Sequence, residues 1–214
     1  MTLYDLRDVT FSYPSSKQPV IRGINMQIEN GDVVSLLGRN GAGKSTLLNC
    51  MLGLLRCQNG TILLNGKDLH DLSERQIAST VGYVPQIHVP SFAYTVHEFV
   101  VMGCASSIGL FSKPGKAEYD AAMEAMISLG IENIAQQPYT QISGGQRQQA
   151  TIARAIVSNP SVVLFDEPTA HLDFTNQLRV LRIIKHLAER GYAVVVTTHN
   201  PDHALLLGGK AALM

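Results

Sequence analysis

Apolar and polar positions alternate over residues 3–13, the period-two pattern of a half-buried strand. The turn dipeptides Asn30-Gly31, Asn59-Gly60 and Asn65-Gly66 follow. The N-terminal third is therefore expected to hold short strands with antiparallel hairpins among them. Residues 33–37 form a short apolar run that ends in a Gly-rich stretch, and residues 44–55 then carry apolar side chains at helical spacing. That order is strand, loop, helix. The middle of the chain, residues 88–158, is richer in helix formers. It predicts one helix over 117–129, stopped by Gly130, and another over 143–158, opened by Ser143. The last third returns to alternation: a buried strand at 162–165, an amphipathic helix at 178–188 closed by Gly191, and a β-branched strand at 193–197. Strands that alternate with helices imply an α/β domain with a largely parallel sheet, whose chemistry sits at the carboxyl ends of its strands.

Composition narrows the function classes. The 214 residues suit one domain with a sizeable core, and 45% hydrophobic against 16% charged residues excludes a disordered chain. Seventeen basic residues balance seventeen acidic ones, so the basic excess of a nucleic-acid binder is missing and no nucleic-acid partner is expected. Cys50, Cys57 and Cys104 have neither CxxC nor zinc spacing and fit idle thiols in a reducing cytosol. The apolar runs are far shorter than the ~20 residues of a membrane helix. Membrane association would have to go through a partner protein.

Three motifs carry the chemistry. Gly38-Arg39-Asn40-Gly41-Ala42-Gly43-Lys44-Ser45 matches G-x-x-x-x-G-K-[S/T]. Its glycines allow a tight loop whose N–H groups face phosphate oxygens, and the next helix presents its positive N-terminus to the same anion. Lys44 is expected to reach the β- and γ-phosphates, the Ser45 hydroxyl to hold Mg²⁺, and Thr46 to donate to phosphate as well. Second, residues 162–167 are an apolar strand ending in Asp166 and Glu167. Asp166 suits the Mg²⁺ shell and Glu167 the polarisation of an attacking water. Alone, the pair reads equally well as a solvated acidic turn before Pro168; beside a phosphate loop that alternative weakens. Third, Ser143-Gly144-Gly145-Gln146 opens a helix with two glycines that each weaken it by roughly 1 kcal/mol. Close approach of the helix end to an anion would explain them, and a Ser-capped helix after a flexible turn is the competing account. His199 and His203 are four apart, but Pro201 breaks the helical register between them, which discounts a metal pair. Met123, Met126 and Leu129 are expected in the core or at a partner.

The Ser-Gly-Gly-Gln-Arg run resembles the signature motif of ATP-binding-cassette (ABC) ATPases, and the order of motifs along essentially the whole chain is similar to that family. Tyr13 resembles the adenine-stacking aromatic, though an ordinary strand aromatic would look the same. Gly38 to Thr46 resembles the Walker A loop, Gln86 the Q-loop glutamine, residues 162–167 Walker B, Ala170 to Asp173 the D-loop, and His199 the switch histidine. Ile142 stands where Leu is usual, and His171 where a small residue is.

The resemblance implies a P-loop, RecA-like core with an antiparallel β subdomain, formed by residues 1–87 and 159–214, and an inserted helical signature subdomain over 88–158. It implies a head-to-tail homodimer. Ser143, Gly144, Gly145 and Gln146 of one subunit would act on ATP held by the other, Asp173 would cross the interface, and Gln86 would sense Mg²⁺ and water. It further implies two transmembrane permease subunits docked at the cytoplasmic face of the membrane, and indirectly a substrate-binding protein. No membrane domain is fused within these residues, and residues 136–141 lack the acidic-Arg-Gly motif of exporter cassettes, which points to an importer. Residues 95–103, Gly109-Leu110-Phe111 and 139–147 look like importers of iron–siderophore, haem or cobalamin, with the zinc/manganese group close behind and Cys104 a departure. The alternatives are a soluble ABC ATPase on DNA or the ribosome, against which the roughly 100-residue gap between motifs shows no heptads. The chain ends soon after His199, where many members continue, so a short member and an incomplete chain are both open.

Overall fold

A computed structural model describes residues 2–14, 16, 18–86, 94–109 and 112–214. The expected subdomain boundary at 87/88 and the expected Leu110-Phe111 feature lie outside those residues. No helix among the described residues is long and apolar enough to cross a membrane.

Two sheets share one buried core with the helix that follows the Gly-rich loop. The first is antiparallel, in the order β2-β1-β4-β5, from β1 (Thr2–Phe11), β2 (Ile21–Glu29), β4 (Asn59–Leu64) and β5 (Lys67–Asp68). The second is parallel, in the order β6-β7-β8-β3-β9, from β3 (Val33–Leu37), β6 (Val81–Val84), β7 (Val162–Asp166), β8 (Ala193–Thr198) and β9 (Lys210–Leu213). Strand alternation divides the core. Val162, Leu164, Ala193 and Val195 face the first sheet and α1 (Lys44–Met51), while Val163, Phe165, Val194 and Val196 face the other helices. Burial of both faces is why these strands read as unbroken apolar runs. The second layer holds α3 (Val96–Val101), α4 (Lys116–Ser128), α5 (Gly144–Ile156) and α6 (Phe174–Glu189). The short α2 (Glu74–Thr80) leads into β6, and α7 (Pro201–Leu207) follows β8. Met126 is buried there, with Met123 and Leu129 packed against it. This is the fold expected from the sequence: a P-loop α/β sheet with an N-terminal antiparallel sheet and inserted helices.

Several expectations change in detail. The first helix ends at Met51, not at residue 55, and leaves Leu54 exposed. The buried Tyr4 hydroxyl donates to the Met51 carbonyl at 2.6 Å, tying the end of that helix to the first sheet. Asn65-Gly66 is the two-residue hairpin between β4 and β5, both residues at positive φ (52° and 76°). Asn59-Gly60 is not a turn. It opens β4 opposite a register shift in β1, where Gly60 has φ 82° beside Asp8 at φ 50°. Asn30-Gly31 joins strands of different sheets.

Candidate active site

The parallel register sets the site. Leu37 of β3 lies beside Thr198 of β8, and Thr197 of β8 beside Asp166 of β7, so three strand ends finish level. The loop after β3 is held by local sterics. Gly43 has φ 99°, and a methyl group there would lie 3.0 Å from both the side chain and the carbonyl of Val20. Helix α1 starts immediately afterwards with Lys44, which is buried. Its ammonium donates to the carbonyls of Gly38 at 2.8 Å and Arg39 at 3.2 Å, and sits 3.0 Å from Glu167 Oε1.

Asp166 and Glu167 separate into two partners. Asp166 continues the strand on the face that carries Val162 and Leu164, toward α1, where the Ser45 hydroxyl donates to its Oδ1 at 2.9 Å. Thr197 donates to the same oxygen at 2.7 Å and accepts the Glu167 N–H at 2.8 Å. Glu167 takes φ 44°, and this left-handed turn lets its carboxylate reach Lys44 through one oxygen and His199 Nδ1 through the other, at 3.0 Å each. Hydroxyl and carboxylate oxygens at Ser45 and Asp166 form the hard donor set that a magnesium ion takes, and the residues present fit it.

A cleft of about 450 Å³ runs from this cluster along the loop, past Asn40, Gly41, Gly43 and Thr46 to Tyr13. Gln86 enters from the end of β6. The Tyr13 ring stands edge-on to Phe11, and its hydroxyl lies 3.2 Å from the Thr46 hydroxyl. Gly38 and Ala42 are not on the cleft wall; a methyl at Gly38 would lie 3.1 Å from the Ala42 methyl, so they pack the loop from within. Val20 does line the cleft, and the sequence reading missed it. Its only sequence signal is its position just before β2 in the connection that carries Tyr13.

Ser143, Gly144, Gly145 and Gln146 are not on this cleft, and neither is Asp173. Ser143 caps α5: its hydroxyl accepts the Gln146 N–H at 3.3 Å, and the Gln146 amide oxygen accepts the Ser143 N–H at 3.0 Å. Asp173 caps α6, which therefore begins at Phe174, four residues before the expected start. The two signature glycines differ. Gly144 is exposed with ordinary space around it, but a methyl at the buried Gly145 would overlap the Asn176 side-chain amide of the same chain. Approach to an anion is therefore not the only reason for a glycine at that position.

Residues 21–170 match the family model for ABC transporter, 150 of the 214 residues. The chain belongs to the ABC transporter family. It is an ABC ATPase, an ATP-binding subunit that hydrolyses ATP to power transport. The cassette is 36% identical to the molybdate import ATP-binding protein MolC of Haemophilus influenzae over 94% of this chain and 75% of that one. It is 35% identical to a solved ABC transporter described as metal-chelate type and inward-facing, with a TM-score of 0.87 over 99% of this chain and 79% of that one. It is 28% identical to MJ0796, a bacterial ABC transporter cassette solved as a dimer, with a TM-score of 0.83 over 99% of this chain and 94% of that one.

Two histidines near the site have structural roles. His203 is buried, with Nδ1 3.3 Å from the Thr169 hydroxyl and 3.2 Å from that of Thr198, and Nε2 3.3 Å from the Asn200 amide. Burial first, and the nearby His199 second, push its pKa down, so the ring is a neutral clamp between α7 and the strand ends. His199 turns the other way, to Glu167. His171 adopts φ 63°, a left-handed conformation that histidine tolerates better than β-branched or bulky residues, which gives it a backbone reason in the D-loop.

Proposed function

We propose that the cassette is the motor of an importer. It works as a homodimer at the cytoplasmic face of the membrane, docked to two permease subunits that receive cargo from a substrate-binding protein. The meeting of Lys44, Ser45, Asp166, Glu167 and His199 at three level strand ends carries the ATPase chemistry of this reading, and the likeness to an import ATP-binding protein supports its direction. ATP lies along the loop, with its base toward Tyr13 and its phosphates at Lys44 and the α1 N-terminus. Ser45 and Asp166 would hold Mg²⁺, with Gln86 nearby; the ion supplies neutralisation of the phosphate charge. Phosphate oxygens compete with Glu167 for the Lys44 ammonium. Glu167, steadied by His199, is then free to accept a proton from the attacking water. Ser143, Gly144, Gly145, Gln146 and Asp173 complete the site of the partner copy. Their place off the cleft of their own chain, and the solved dimer of a related cassette, support that arrangement.

An apolar groove of about 580 Å³ between α2 and the segment after α3, with Ala78, Met102 and Ile108 in its walls, supports permease docking on this side. Residues 88–158 act as the helical signature subdomain.

The cargo we favour is a metal chelate of the iron–siderophore, haem or cobalamin type, in line with the solved metal-chelate relative. Similarity to a molybdate import protein favours an oxyanion as the competing cargo. Uptake of labelled ferric siderophore, haem, cobalamin, manganese and molybdate should be compared in a strain lacking the gene and in the same strain carrying wild-type or Glu167→Gln cassette. Loss of chelate uptake alone, restored by the wild type only, is the expected result. Loss confined to molybdate or manganese would move the cargo, and unchanged uptake of every compound would remove the importer reading.

A further inference from the structure

Between the signature turn and the D-loop stands one side chain that neither motif includes. Asn176 is the third residue of α6. Its backbone N–H donates to Asp173 Oδ1 at 2.8 Å, and its side-chain Nδ2 donates to Asp173 Oδ2 at 2.7 Å. Only the NH₂ end of the amide can donate to a carboxylate, so the oxygen end is turned away from Asp173. It is turned against the first turn of α5. The three atoms that a methyl at Gly145 would meet are the Asn176 amide oxygen, carbon and nitrogen, the carbon at 2.8 Å. Leu172, just before Asp173, is the nearest neighbour of the Gly144 position at 4.0 Å.

The segment from Walker B to Asn176 is itself a run of tight turns. The Ala170 N–H donates to the Glu167 carbonyl at 3.0 Å, Leu172 to Thr169 at 3.3 Å, and the Gln177 side chain to the Leu172 carbonyl at 2.9 Å. The Glu167 backbone, the D-loop and the signature turn are thus joined through short contacts within one chain.

We infer that Asn176 is a positioning residue that latches the signature turn to the D-loop in cis, so that each subunit presents both to its partner as one body. The inference rests on the trans arrangement proposed above. It means that the signature reading one ATP is tied mechanically to the Glu167 that serves as the base at the other. It also assigns Gly145 a reason inside its own chain: the absent Cβ is the space that the Asn176 amide fills.

The test compares purified wild type, Gly145→Ala, Asn176→Ala, Asn176→Asp and the double variant Gly145→Ala/Asn176→Ala. Readouts are steady-state ATPase, backbone hydrogen exchange over residues 142–148, and melting temperature. Asn176→Ala should lower kcat on the order of 10- to 100-fold, because the signature is misplaced, while KM for ATP stays within about twofold. Exchange in the first turn of α5 should quicken. Asn176→Asp fills the same volume but cannot donate to Asp173, and should lose kcat likewise. Gly145→Ala should be inactive with a lowered melting temperature, and removing the Asn176 amide should bring the melting temperature back to the level of Asn176→Ala alone. A double variant that melts as low as Gly145→Ala overturns the latch, as does wild-type kcat in Asn176→Ala or Asn176→Asp. Wild-type turnover independent of protein concentration would instead remove the trans dimer, leaving the latch to be judged by exchange and melting temperature, where an unchanged pattern in Asn176→Ala overturns it.

Discussion

Glu167 is constrained through both its backbone and its side chain. Its positive φ of 44° costs on the order of 1–2 kcal/mol for a residue with a Cβ. The Thr197 hydroxyl and the Ala170 N–H bind its backbone on either side and fix that conformation. The result is a carboxylate shared between the Lys44 ammonium and the His199 ring, with Asp166 directed elsewhere. Replacing it by an isosteric amide removes the proton acceptor and leaves the turn intact. Glu167→Gln should therefore bind ATP normally and hydrolyse it about 10²- to 10⁴-fold more slowly. On size exclusion with ATP it should run as a dimer that persists for hours. Turnover near that of the wild type would take the base role away from Glu167.

At the level of elements, the two Asn-Gly pairs of the first sheet show how context decides a local signal. Asn65-Gly66 has no neighbour that a side chain at Gly66 would meet, so only the backbone demands glycine there. Gly60 has the same sign of φ, but a methyl would also fall inside contact distance of the Arg7 and Asp8 carbonyl oxygens across the bulge. Gly66→Ala should lower the unfolding free energy in urea by about 1 kcal/mol, the strain of one left-handed residue. Gly60→Ala should cost about 2–3 kcal/mol or more, because the strand must also move. Equal losses would mean that the bulge yields freely and does not pin the β1–β4 register.

The whole molecule is expected to be active only in pairs. Ser143→Arg leaves the phosphate loop intact, and Lys44→Ala leaves the signature intact. A mixture of the two would hold heterodimers with one site carrying both defects and one site carrying none. ATPase activity in the mixture should exceed that of either variant alone, and activity no greater than their average would contradict shared sites. The same scale explains how the loop is supported. Ser45 and Asp166 are 121 residues apart in sequence yet 2.9 Å apart in space, because β7 and β3 run parallel with β8 between them. That intervening strand delivers Thr197 to both acidic residues and His199 to Glu167.

Strand, loop and helix around Lys44, the acidic pair at the end of a buried strand, and the capped signature helix were all legible in the sequence. Each is written in one contiguous window, through periodicity or through residue types that only a tight loop or a cap requires. The family membership was legible for the same reason, since motif order survives in a linear text. The chain order could not show that Thr197 stands between Asp166 and Glu167, that Val20 closes the cleft, that Gly60 belongs to a bulge, or that Gly145 is a glycine because of Asn176. These facts depend on which surfaces meet when distant segments pack. Close packing fills each gap with whatever side chain the neighbouring element supplies, and it leaves no periodic trace in either segment alone.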